Sequence, residues 1–235
     1  VPLNEDGTFT EVEIYGKKYS GKALYDVLEN YARKGYYSIN PEEKHKGQDI
    51  MWFIWENKNS PVFGKEKMTT FERYFVTDKS THCEPKNPYY TLLEKEEIVN
   101  KILAEFGLSG REAHIINGHI PIEAKNGESP VKCNGKLLII DGGFSKAYQP
   151  KTGIAGYTLI YNSYGLVLAA HEPFESVEKA VNEGTDIVSH TILVQHVRSR
   201  KTVAEKDNGK LMKENIKDLE ELLAAYREGT IVENI

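Results

Sequence analysis

Cysteine is scarce: Cys83 and Cys133 are the two present, 50 positions apart and in no CxxC pair. They make no disulfide framework and, by themselves, no thiolate zinc site, so a reducing cytoplasm is the expected compartment. Long hydrophobic runs are missing. No stretch of 18 apolar residues occurs, and none is read as crossing a membrane. No basic start leads into an apolar stretch, so no signal peptide is read. Positive charge is not in excess. Lys+Arg number 30 against 35 Asp+Glu, a formal net charge of -5, and the pI is about 5.9. That excludes a nucleic-acid binder working by bulk charge. GxSxG, GxxxxGK[ST] and strand-turn GxGxxG motifs are absent, and no two histidines stand four apart as in a helical zinc site. The chain shows no repeat, low-complexity segment or Pro/Gly/Ser linker. An initiator Met is also missing before Val1-Pro2-Leu3-Asn4. The chain is therefore read as processed, or as a piece of something longer.

What is present is ordinary globular material. With 235 residues, 40% hydrophobic and 28% charged, the chain is long enough to bury a real core. The patterning indicates a mixed α/β fold read as one unit, mostly helical over 20–110 and sheet-forming over 111–235. Residues 9–15 alternate as a half-buried strand does. Ser20 is placed to cap a helix carrying Leu24, Val27, Leu28 and Tyr31, and Asn40-Pro41-Glu42-Glu43 opens a second. A helix is expected from about 91 to 106, stopped by Gly107. Short strands follow at Ala113–Ile116 and Leu137–Ile140. A hairpin joins Gly153–Tyr161 to Gly165–His171 around Asn162-Ser163, a short helix runs from Ser176 to Gly184, and a strand covers Ile187–Val197. Asp207 or Asn208 caps a last helix through Leu211, Ile216, Leu219, Leu223 and Tyr226.

Two strand ends carry the chemistry. One apolar strand stops at Gly118-His119 and another at Asp141-Gly142-Gly143, each setting a polar side chain at the rim of a sheet. An imidazole beside a glycine suits a divalent metal, although a lone histidine is more often structural. His190 and His196, six apart on one strand, are read as sharing a face. Over 50–75, Trp52, Phe53, Trp55, Phe63, Phe71, Tyr74 and Phe75 interleave with Lys65, Lys67 and Arg73. The segment is read either as core with snorkelling cations or as an anion site braced by packed rings.

Several blocks go further. His114-Ile115-Ile116-Asn117-Gly118-His119-Ile120-Pro121 resembles the Gly-His strand end of calcineurin-like phosphoesterases. Asn59–Lys65, Lys67–Phe75, Lys86–Tyr90, Ile140–Gln149 and Gly153–Leu166 resemble the class 3 fructose-1,6-bisphosphatases of Firmicutes-type bacteria. The resemblance covers essentially the whole chain.

The resemblance implies the C-terminal part of a calcineurin-like α/β/β/α sandwich, two facing mixed sheets flanked by helices, with a helical insertion. It implies hydrolysis of fructose 1,6-bisphosphate to fructose 6-phosphate at a two-metal manganese centre. Only His119 matches a metal-ligand position. His114, on the opposite face of a regular strand, and Asp141 are possible supports. Lys65, Lys67 and Arg73 sit in the most family-specific block and are candidates for substrate phosphate, with Arg73 alternatively paired to Glu66 or Glu72. Lys146 and Tyr148 follow in the same loop as Asp141. The superfamily's Asp-x-His, Gly-Asp-x-x-Asp and Gly-Asn-His-Asp/Glu motifs are absent from the chain. The expected partners are therefore the sugar bisphosphate and the N-terminal part of the same enzyme, with no nucleic acid or membrane, and the chain alone is expected to be inactive. Uncovered apolar strands would favour a homo-oligomer. Two alternatives stand beside this reading: a nucleotide or protein phosphatase of the same superfamily, and a non-catalytic regulatory or assembly module.

Overall fold

A computed structural model describes residues 1–118, 120–143, 145–184 and 189–231. Although no linker marks the sequence, these residues gather into two compact units, Val1–Asp141 and Gly142–Ile235. The fold is mixed α/β. No helix among the described residues is long and apolar enough to cross a membrane.

The first unit opens with a hairpin of β1 (Val12–Ile14) and β2 (Lys17–Tyr19). Tyr15 and Gly16 both have positive φ, 48° and 76°, as a tight two-residue hairpin turn requires. Val12 and Ile14 are buried while Glu13 between them is exposed, the expected alternation, although the strand is shorter than 9–15. Helices α1 (Gly21–Tyr37) and α2 (Pro41–Glu56) follow. Asn40 caps α2 as read, its side-chain oxygen accepting from the amides of Glu42 at 2.9 Å and Glu43 at 3.2 Å. Ser20 occupies the cap position of α1 without a capping bond. The Glu105 carboxylate, 83 residues on, accepts from the Lys22 amide at 2.9 Å instead, which places negative charge at a helix N-terminus. The two helices approach at Gly35 and Gly47, where a Cβ on Gly35 would stand 2.7 Å from the Gly47 carbonyl carbon. Val12, Ile14, Leu24, Leu28 and Ile50 form the core beneath.

The remaining helices of this unit are α3 (Thr70–Phe75), α4 (Tyr89–Leu92) and α5 (Glu96–Glu105). The expected helix over 91–106 is therefore broken, because Lys95 is extended just before α5. Gly107, at φ +71°, follows the end of α5 as read. Leu92, Leu93, Ile98, Val99, Ile102, Leu103 and Leu137 make a second core. It supports a sheet of β3 (Ile115–Asn117), β4 (Val131–Lys132) and β5 (Leu137–Ile139). Its order is β3-β5-β4, with β3 and β5 parallel and β4 antiparallel.

The aromatic block corrects the core reading of 50–75. Trp52, Trp55, Phe71, Tyr74 and Phe75 are each more than 60% exposed. They pair with one another, Trp52 with Trp55 at 5.0 Å and Phe71 with Phe75 at 6.4 Å between ring centres.

The second unit contains α6 (Gln149–Thr152), β6 (Gly156–Asn162), β7 (Gly165–His171), α7 (Val177–Glu183), β8 (Ser189–His196) and α8 (Asp207–Arg227). Its sheet, β6-β7-β8, is antiparallel throughout. Asn162 pairs with Gly165, so the hairpin loop is Ser163-Tyr164, one residue later than read. The short helix read over Ser176–Gly184 is α7, which Ser176 caps by accepting from the Lys179 amide. Lys206 holds the cap position of α8, not Asp207 or Asn208, and makes no side-chain capping bond. The start of the expected strand at Ile187–Val188 lies outside the described residues. A bulge corrects the reading of His190 and His196. Val167 pairs with Leu193 and Leu166 with Gln195, so one residue of β8 is skipped. His190 then faces Ala170 and His196 faces Gly165, five apart on β7, and the two imidazoles project from opposite faces.

Candidate active site at the strand ends

The parallel pairing of β3 and β5 brings together what the sequence singles out separately. Asn117 is in register with Ile139, so both strands end at one edge of the sheet, with Gly118 next to the Ile140-Asp141 step. The backbone fixes this junction: the Ile140 amide donates to the Asn117 carbonyl at 2.9 Å, and the Ile122 amide to the Asp141 carbonyl at 3.1 Å. The two strand ends and Ile122 thus share one rim, where polar groups of an α/β fold meet ligands. His119 itself lies outside the described residues.

Neighbouring residues hold that rim. Tyr89 donates its hydroxyl to the Asn117 side-chain oxygen at 2.9 Å. Burial pushes the Tyr89 phenol up to about 12, so it stays protonated as a donor. The His114 Nδ1–H donates to the Gly135 carbonyl at 2.7 Å just before β3. Gly135 closes a turn in which Cys133, Asn134 and Gly135 all have positive φ. Glu96 at the start of α5 ties the same turn down, accepting from Asn134 at 2.8 Å and from Lys136 at 3.2 Å. His114 therefore braces the strand's approach through the loop that leads into β5.

A cleft of about 180 Å³ opens beside the strand end, lined by Lys86, Tyr90, Asn117, Gly118, Pro121 and Lys132 among others. Lys132 bonds to both Glu94 and Glu128. Burial alone would lower its pKa, but the hydrogen bonds to Glu128 and Glu94 outweigh that and raise it. The cleft thus sets charged groups beside the apolar side chains of Leu93, Ile122, Leu137 and Ile139.

The three cations read from sequence lie elsewhere in this unit. Lys65 pairs with Glu84 at 2.6 Å. Arg73 lies 4.0 Å from the same carboxylate and donates to Thr69 Oγ1 at 3.1 Å and to the His82 carbonyl at 3.2 Å. Its carboxylate partner is Glu84, not Glu66 or Glu72. Lys67 reaches the Thr81 carbonyl at 3.5 Å. Glu84 is drawn down to about 2, first by the Lys65 hydrogen bond and then by the Thr69 amide. Sequence reasoning missed Glu84, Tyr89 and Asn117. Tyr89 was within reach, inside the Lys86–Tyr90 block, whereas Glu84 stands 19 residues from Lys65 with no local signal. Lys146 and Tyr148 belong to the second unit, and Tyr148 is exposed.

No three His, Cys, Asp or Glu side chains converge on a metal position among the described residues.

A family model described as Firmicute fructose-1,6-bisphosphatase matches residues 1–228. A class 3 fructose-1,6-bisphosphatase of Clostridium tetani is 57% identical over 236 residues, covering 100% of this chain and 36% of that protein. One from Clostridium beijerinckii is 57% identical across 98% of this chain and 35% of its own length. One from Clostridium botulinum is 56% identical across 99% and 35%. The chain thus spans about a third of the length of these relatives. No solved structure matches.

Proposed function

This chain belongs to the Firmicute fructose-1,6-bisphosphatase family, and we propose that it forms part of an enzyme hydrolysing fructose 1,6-bisphosphate to fructose 6-phosphate and phosphate, a gluconeogenic step in the cytoplasm. The observation that carries this reading is the extent of the match, residues 1–228, which takes in the Gly118 strand end and the Lys65–Arg73 block together. The architecture in this reading is the calcineurin-like sandwich, and the remaining two thirds of the enzyme's length supplies most of the metal site. His119 is the one manganese ligand assigned to this chain. Because the described residues form no metal cluster, no catalytic step is assigned to them. Their part is positional: Tyr89 fixes Asn117, the Ile140 and Ile122 amides lock the two strand ends, and a cleft opens beside them. Lys65, Lys67 and Arg73 are assigned to substrate phosphate in this reading because of the family-specific block that holds them; Glu84 pairs with Lys65 and lies 4.0 Å from Arg73.

The test is phosphate release from fructose 1,6-bisphosphate, with and without manganese. It compares this chain, the chain joined to the rest of the length its relatives have, and the joined chain with His119→Ala. Turnover only in the joined chain, manganese-dependent and reduced at least a hundredfold by His119→Ala, is the expected result. Absence of turnover in every form overturns the substrate assignment.

A further inference from the structure

Helix α8 runs for 21 residues, Asp207–Arg227, about 32 Å at 1.5 Å per residue. Among the described elements only the short turn Val203–Glu205 packs extensively on it, closing over Gly209 in the first turn. Beyond that turn the helix shows an uncovered seam. Met212, Ile216, Leu219, Leu223 and Tyr226 follow one another at intervals of four, three, four and three residues, and each is 46–63% exposed. A four-three spacing is the seam of a two-stranded coiled coil, and Leu211 and Leu222, also exposed, flank it.

We infer that α8 pairs with α8 of a second copy of this chain, in antiparallel orientation. The charges beside the seam select both the partner and the direction. One edge carries Lys213 and Glu220, one heptad apart. Neither has an ion-pair partner among the described residues, whereas Lys210 bonds to Asp207 and Lys217 to Glu221 along the helix. Set antiparallel, with Ile216 against Leu219 and Met212 against Leu223, the two helices bring Lys213 of each copy beside Glu220 of the other. A parallel pair would place Glu220 beside Asn215 and leave Lys213 without an acid. Lys206, the next cation on that edge, sits 4.9 Å above the Tyr161 ring, away from the Arg227 it would otherwise oppose. On the other edge Leu222, also exposed, gains cover. Burying the seam in both copies removes on the order of 1,000 Å², the lower bound for a specific interface. The pairing is therefore reversible.

Sedimentation velocity at about 50 µM tests this, on the 235-residue chain and on the chain joined to the rest of its relatives' length. A dimer is expected in both. Lys213→Glu and Glu220→Lys should each weaken it at least tenfold, and the two together should restore it. Leu219→Glu should leave a monomer. The inference is overturned by a monomeric wild-type chain, by a dimer indifferent to Leu219→Glu, or by a double exchange no better than the single ones. It is also overturned by loss of the dimer in the longer chain, which would mean that the rest of the enzyme covers the seam. The charge exchange lies on the exposed edge and does not depend on how the seam variant folds.

Discussion

In Val1–Asp141 the apolar side chains collect into two clusters, one under the α1–α2 pair and one between α5 and the β3-β5 edge. Among the described residues of Gly142–Ile235 the buried apolar ones are Tyr157, Leu166, Leu168 and Ala169, while Ile160, Leu193 and the whole seam of α8 stay exposed. Both units are built from amphipathic elements. The first folds part of its apolar faces into two cores while leaving the Trp52–Phe75 aromatics outside, and the second buries fewer apolar side chains and leaves a whole helix seam outward. Stability in the first unit is thus set by packing inside it. In the second it depends on what covers the sheet and helix, since a lone amphipathic helix of this length is marginal in water.

That contrast can be broken most severely at the α1–α2 crossing. Gly47→Leu would force a side chain into the backbone of Gly35 and Tyr31, neither of which can yield as a flexible side chain would. A loss of about 4 kcal/mol in urea unfolding is expected, above the usual overpacking range. The contrast is sharpened by a matched pair of deletions. Leu24→Ala, fully buried in the first unit, should cost about 3 kcal/mol. Leu168→Ala, equally buried in the thinner second unit, should cost about 2 kcal/mol because its surroundings collapse more readily. Equal losses would remove the distinction between the units.

Smaller effects probe the polar ties of the first unit. Glu84 titrates at about 2 in the folded chain against an ordinary 4.5. A carboxylate lowered on folding adds stability above its unfolded value and loses it as the pH falls towards the folded one. Its contribution is therefore complete above about pH 4.5 and gone below about pH 2. Glu84→Gln should cost about 1–2 kcal/mol at pH 7 and flatten that acid limb, measured by denaturation across the range. Asn40→Ala should cost about 1 kcal/mol by uncapping α2, with little change in the second unit's unfolding.

Local patterns were legible where one short segment carries the whole instruction. Asn40-Pro41-Glu42-Glu43 holds cap, proline and first-turn acids in four residues, and the helix begins there. The strand ends at Gly118 and Asp141 were likewise marked by apolar runs stopping at polar turns. The long-range partners were not legible. The Glu105 carboxylate, 83 residues from Lys22, takes over the capping of α1 from Ser20, and Glu84 pairs with Lys65 across 19 residues. The bulge in β8 shows the same limit: six residues of regular strand would put His190 and His196 on one face, and one skipped pairing reverses it.

The sequence by itself determined the mixed α/β class, the family, most element boundaries to within a few residues, and the Gly118-His119 motif, because periodicity, caps and contiguous motifs are local properties of the chain. Only the tertiary structure decided that Gly118 and Asp141 end on one rim, that Tyr89 fixes Asn117, that the aromatic block lies outside the core, and that α8 stands uncovered. Each of those depends on contacts between residues far apart in the chain, whose distance is set by packing and register and not by any neighbouring residue.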